Sequence, residues 1–175
     1  MARANDRADT LFAPGRRARV LQLLRAYTDT HVELTRHLAR ALGVHGSDAV
    51  AVAEVLWAEA SGTPLTPARL AERIGLTSGA TASLLNRLED AGMVVRNRED
   101  TDRRIIRLRL TPAARTATTA FFERTGHALD DVLDDYDDAA LEQVERLLTG
   151  VVAATAAHNE QLRSAGADVG ERRSP

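Results

Sequence analysis

The sequence predicts a mainly α-helical protein with a small β component (α+β), and three observations carry that expectation. Of 175 residues, 44% are hydrophobic and only 3% aromatic, so Leu, Val and Ala have to fill the core and the balance leans to helix. Apolar residues recur at spacings of three and four through most of the chain, which is the helical period. One stretch, from Met93 to Leu110, changes to alternation, the period of a strand.

Residues 1–16 are polar, contain Pro14 and Gly15, show no period and are expected to be a flexible arm. From Arg17 to Leu42 the stripe Val20, Leu24, Tyr27, His31, Leu34, Leu38 and Leu42 predicts a long amphipathic helix, stopped at Gly43. Ser47 and Asp48 are the expected caps of a second helix, which carries Val52, Val55, Leu56 and Trp57 and breaks at Ser61-Gly62-Thr63-Pro64. Thr66 and Pro67 open a short helix that ends at Gly75. After the turn Leu76-Thr77-Ser78, a fourth helix is expected over Gly79–Ala91. Leu70, Ile74, Leu84, Leu85 and Leu88 are the expected shared core of these two helices.

Met93–Arg98 and Ile105–Leu110 read as the two strands of a hairpin, with Ile106, Leu108 and Leu110 turned inward and Arg107 and Arg109 outward. A ribbon of two strands needs helices beneath it to stand. Thr111-Pro112 opens a helix expected to reach Asp135, and Asp137 and Asp138 cap a last one. The stripe of that last helix, Leu141, Val144, Leu148, Val151, Thr155, His158 and Leu162, is spaced alternately three and four, a narrow seam that suits another helix. Residues 163–175 are expected to be a flexible tail.

Net charge is −2, but it is unevenly spread, and all 23 basic side chains are Arg. From Arg69 to Arg115 ten Arg face six acidic residues, a balance of +4; from Thr116 onward the balance is −7. A basic middle beside an acidic end fits a nucleic-acid reader joined to a second module. The order helix, short helix, turn, helix, hairpin is that of a winged helix-turn-helix. Residues 46–112 form that expected DNA-binding domain, residues 17–45 an expected dimerisation helix and 113–162 the further dimerisation helices.

The outward face of the fourth helix is small or polar: Gly79, Ala80, Ser83, Asn86 and Arg87. Small residues at its start let backbone approach phosphate, which the free N–H groups of a helix N-terminus attract. Ser and Asn reach base edges; Arg reads guanine or grips phosphate. Arg96, Arg98, Arg103, Arg104, Arg107 and Arg109 crowd the hairpin, where a wing laid along DNA neutralises phosphates. The expected DNA-binding residues are therefore Thr77, Ser78, Gly79, Ala80, Ser83, Asn86, Arg87, Arg98, Asp102, Arg103 and Arg104.

The stretch LTPARLAERIGLTSGATASLLNRLEDAGMV followed by VRNREDTDRRIIRLRLTPAAR resembles the MarR family of bacterial transcription regulators. Its most specific parts are Asp102-Arg103-Arg104 and Leu110-Thr111-Pro112. The resemblance implies a homodimer, each chain giving one wing and one recognition helix to a pseudo-palindromic double-stranded operator. It gives Arg104 the place of a minor-groove arginine and Asp102 that of the acid orienting it. It also implies a repressor released by a small aromatic or anionic ligand, for which no binding residue is assigned. Tyr27, His31, Val55 and Trp57 suit either a ligand pocket or ordinary packing.

There is no Cys, which excludes disulfides and thiol switches. No Gly-rich phosphate loop, nucleophile elbow or metal-spaced His cluster is present, so no enzyme, cofactor or metal site is expected. Asp130, Asp131, Asp134 and Asp135 read as helix-end solvation, and His31, His37 and His158 as interface histidines. A winged-helix module used only for protein contacts, or a metal-responsive regulator, stands as the alternative. With no signal core in the first thirty residues and no apolar run long enough for a membrane span, a cytoplasmic protein is expected.

Overall fold

The computed structural model describes residues 15–98 and 105–171. Among these residues, six helices and a two-stranded ribbon follow in the order α1 Arg16–Leu42, α2 Gly46–Ala60, α3 Pro67–Ile74, α4 Ser78–Asp90, β1 Val94–Arg98, β2 Ile106–Leu110, α5 Pro112–Leu133 and α6 Asp138–Glu171. The chain divides into two units, Met1–Glu123 and Arg124–Pro175.

Local chemistry explains most boundaries of the first unit. Gly43 ends α1 in the left-handed conformation at φ 67°, where Val44 N–H donates to the Ala39 carbonyl at 3.0 Å. Thr66 caps α3 by accepting from Arg69 N–H at 3.2 Å, with Pro67 in the first turn, and Gly75 closes it at φ 68°. Thr77 does the same for α4, accepting from Ala80 N–H at 3.3 Å. The start of α2 differs from the expectation. Its cap is His45, and Asp48 lies inside the first turn, where it is buried. An acid there suits the helix dipole, and its burial has a partner described below.

β1 and β2 pair antiparallel from Val94↔Leu110 to Arg98↔Ile106. Leu108 N–H donates outward to the Leu65 carbonyl at 2.8 Å, tying the segment before α3 to the ribbon. Thr111 joins the ribbon to the helices: its hydroxyl donates to the Gly92 carbonyl at 2.7 Å and accepts from Ala114 N–H at 3.2 Å. Beneath lies one core of Val52, Val55, Leu56, Leu70, Leu84, Leu85, Leu88, Val94, Leu108 and Leu110. Ile74, expected inside, is half-buried against its edge.

The α1 stripe is only partly covered by the described residues, with Val20, Leu24, Leu34 and Leu42 half-buried and Tyr27 and His31 exposed. Leu38 is fully covered, whereas Tyr27 is 59% exposed and stacks on His31 with ring centroids 6.1 Å apart. The second unit holds no buried residue among those described, although Leu129, Val132, Leu133, Tyr136, Val144, Leu147, Leu148, Val152 and Leu162 are all exposed on it. Asp137 caps α6, accepting from Ala140 N–H at 2.8 Å, and the helix runs to Glu171, past the expected end at Leu162. No described helix is long and apolar enough to cross a membrane.

Candidate DNA-binding surface

Helix α4 divides cleanly by face. Thr81, Leu84, Leu85 and Leu88 are buried, which leaves Ser78, Gly79, Ala80, Ser83, Asn86 and Arg87 on the exposed side with the capping Thr77. A Cβ added at Gly79 would meet nothing within 4 Å, so the fold itself does not require glycine there. What the glycine leaves is a bare helix start that a phosphate backbone can approach. Ser83 donates its hydroxyl proton to the Gly79 carbonyl at 3.1 Å, so its oxygen faces outward as an acceptor.

Two residues of this face are not free in the way their spacing implies. Arg87 turns its guanidinium back to Asp48: Nη2 donates to Oδ1 at 2.6 Å and Nε to Oδ2 at 3.2 Å. This fork-to-fork pair crosses from α4 to α2. Hydrogen bonding to the Asp48 carboxylate raises the Arg87 guanidinium above its ordinary range, against a smaller opposing effect of desolvation. Asn86 accepts at Oδ1 from Arg96 Nη2 at 3.0 Å, and Arg96 Nη1 also donates to Glu89 at 2.6 Å.

The ribbon corrects the reading of six arginines aimed together at phosphate. Arg96 is held by Glu89 and Asn86, Arg107 donates to the Pro64 carbonyl at 3.1 Å, and Arg109 lies 3.6 Å from Glu59. Arg98 is exposed at the end of β1, and its side chain makes no hydrogen bond or ion pair with a described residue. Asp102, Arg103 and Arg104 lie outside the described residues.

Glu59 is the other buried acid. Its side chain is 2% exposed, and its Oε2 accepts from Arg115 Nη2 at 2.7 Å and from Leu110 N–H at 3.4 Å. Three elements, α2, β2 and α5, therefore meet on one carboxylate. Neither Asp48 nor Glu59 was singled out by the sequence pattern as a partner, because their arginines stand 39 and up to 56 positions away. The available signal was an acid placed among the apolar residues of α2.

Trp57 is half-exposed and packs on Phe122 with centroids 5.5 Å apart, and Phe122 meets Phe121 edge-on at 5.3 Å. Tyr27 and His31 stack on each other, whereas Val55 belongs to the buried core. Among the described residues no three His, Cys, Asp or Glu stand close enough to hold a metal ion.

The sequence model of the MarR family matches residues 50–105. An uncharacterised HTH-type transcriptional regulator of Bacillus subtilis, YcgE, is 29% identical over 124 residues, covering 71% of this chain and 78% of its own. In fold, the chain is similar to Staphylococcus aureus MepR in its DNA-binding conformation, with a TM-score of 0.60 at 15% identity over 78% of this chain and 98% of that one. The regulator Tm0710 of Thermotoga maritima gives 0.51 at 18% identity, covering 81% and 96%.

Proposed function

We propose that this chain, whose residues 50–105 match the sequence model of the MarR family, is a DNA-binding transcription regulator of that family that works as a homodimer and is released from its operator by a small ligand. The observation that carries the reading is α4: a capped helix with a small, polar, exposed face, beside an arginine-bearing ribbon. In this reading α4 enters the major groove, with Thr77, Ser78, Gly79 and Ala80 at the backbone and Ser83 and Asn86 at base edges. Arg98, Arg103 and Arg104 follow the backbone from the wing, Arg104 reaching the minor groove and Asp102 orienting it.

The described part of the second unit, the end of α5 and α6, has no buried residue and supports the dimer, because apolar stripes of that length ordinarily end at another surface. Two-fold pairing presents two α4 helices to a pseudo-palindrome with half-sites about 10 bp apart. Release requires a ligand that prefers the arrangement of helices that does not fit DNA. The half-exposed Trp57 with Phe121 and Phe122 supports an aromatic ligand, and we read the protein as a repressor acting in the cytoplasm. The reading is of a binding protein in a family of regulators, with no catalytic step.

The test is selection of bound duplexes from a random pool, followed by titration of the winner against scrambled DNA at several salt concentrations. The expected result is one enriched pseudo-palindrome, bound at least about a thousandfold tighter than scrambled DNA. Enrichment of no sequence, with equal affinity for all duplexes, overturns it.

A further inference from the structure

Asn86 and Arg96 belong to different elements, α4 and β1, and meet on the exposed side of both. The contact has a direction that chemistry fixes. A guanidinium has only donors, so the amide atom 3.0 Å from Arg96 Nη2 has to be the oxygen, Oδ1. The amide nitrogen, with its two N–H groups, is then the end left for a ligand. Arg96 is itself pinned: Glu89 accepts from its Nη1 at 2.6 Å, and the two side chains are 29% and 32% exposed. The carbonyl of Asn86 is therefore engaged from within the chain before any DNA arrives.

Free asparagine recognises adenine with both ends of its amide, accepting from N6 and donating to N7. Here Arg96 already holds one of the two lone pairs of the accepting Oδ1, and the guanidinium charge beside that oxygen opposes the approach of a second donor. We propose that Arg96 is a specificity-determining residue, which converts Asn86 into a donor-only reader and selects a guanine edge, with acceptors at N7 and O6, at the base Asn86 meets. Adenine and cytosine place an amino donor against an oxygen that already faces a cation. Ser83, whose hydroxyl proton is held by the Gly79 carbonyl, presents the complementary acceptor one turn away. The inference rests on the proposed entry of α4 into the major groove.

The experiment uses the full chain and its selected operator. Asn86→Ala identifies the position whose preference disappears. At that position the wild-type protein is expected to prefer guanine over adenine by about tenfold. Arg96→Met frees Oδ1 and shifts that single preference toward adenine, leaving the other positions unchanged. A second measurement needs no variant: adenine at that position is replaced by purine, which lacks the N6 amino group. Donor-only reading predicts that the wild type binds the purine duplex no worse than the adenine one, whereas two-ended reading loses about tenfold.

The proposal is overturned if Arg96→Met keeps the guanine preference, if it weakens all positions evenly, or if the purine duplex binds worse than adenine. If Asn86→Ala moves no preference on an operator that the wild type still selects, Asn86 reads no base and the proposal falls while the DNA-binding reading stands. If the wild type selects no sequence at all, it is the DNA-binding reading that has failed.

Discussion

Arg87 Nη2 stands 2.6 Å from Asp48 Oδ1, joining the exposed side of the proposed recognition helix to a carboxylate that is 4% exposed inside α2. A buried carboxylate needs its counter-ion, so the angle of α4 over α2 is held by this pair. Arg87 is in that sense a positioning residue, whatever its outer N–H groups reach.

It follows that Arg87→Met and Asp48→Asn should act alike. Each should lower affinity for every operator by a similar factor and lower the melting temperature, without relaxing preference at one base pair. Fluorescence anisotropy on a panel of single-base operator variants checks this. Loss of preference at one position in Arg87→Met, absent in Asp48→Asn, would mean that Arg87 reads a base.

The Glu59 carboxylate predicts an asymmetry in stability. Arg109 and Arg115 are 41% and 45% exposed and rehydrate readily if Glu59 is removed, whereas Glu59 at 2% exposure cannot. The double variant Arg109→Met, Arg115→Met should therefore cost about 3–5 kcal/mol, the usual penalty for a buried charge left unpaired. Glu59→Gln should cost clearly less. Urea unfolding of both proteins decides it, and the reverse order would show that the carboxylate is not the costly partner.

Assembly is tested on the second unit. Leu148→Glu with Val152→Glu places two charges on exposed apolar positions of α6, where a monomer loses little. The expected outcome is a dimer for the parent and a monomer for the variant by light scattering, with loss of tight operator binding. A variant that stays dimeric and binds as before would place the interface elsewhere.

The wing is tested by its salt dependence. Arg104→Ala should lower affinity at all sites and flatten the slope of log affinity against log salt by about one unit per lost contact. Asp102→Ala should give a milder version of the same change. An unchanged slope in Arg104→Ala would remove that residue from the DNA contact.

The order of elements was legible because its signals are local. Thr66-Pro67, Gly75, Thr77 and Thr111-Pro112 each start or stop a helix through bonds within four residues, and they stand at the helix ends where the pattern places them. The same locality fails at Asp48: a local rule makes it a cap, and only a partner 39 positions away explains an acid buried inside the first turn. The outward face of α4 followed from the helical period, whereas the engagement of Asn86 by Arg96 did not, since the bend between helix and strand decides which side chains meet. The apolar stripes of α1 and α6 were visible, but a stripe states only that a surface wants cover.

The central claim is that two chains read one two-fold operator through their α4 helices. Sedimentation of the complex formed with the selected duplex, together with hydroxyl-radical footprinting of both strands, tests it most directly. The account predicts two chains per duplex and two symmetric protected half-sites with centres about 10 bp apart. One chain on a single asymmetric site would contradict it.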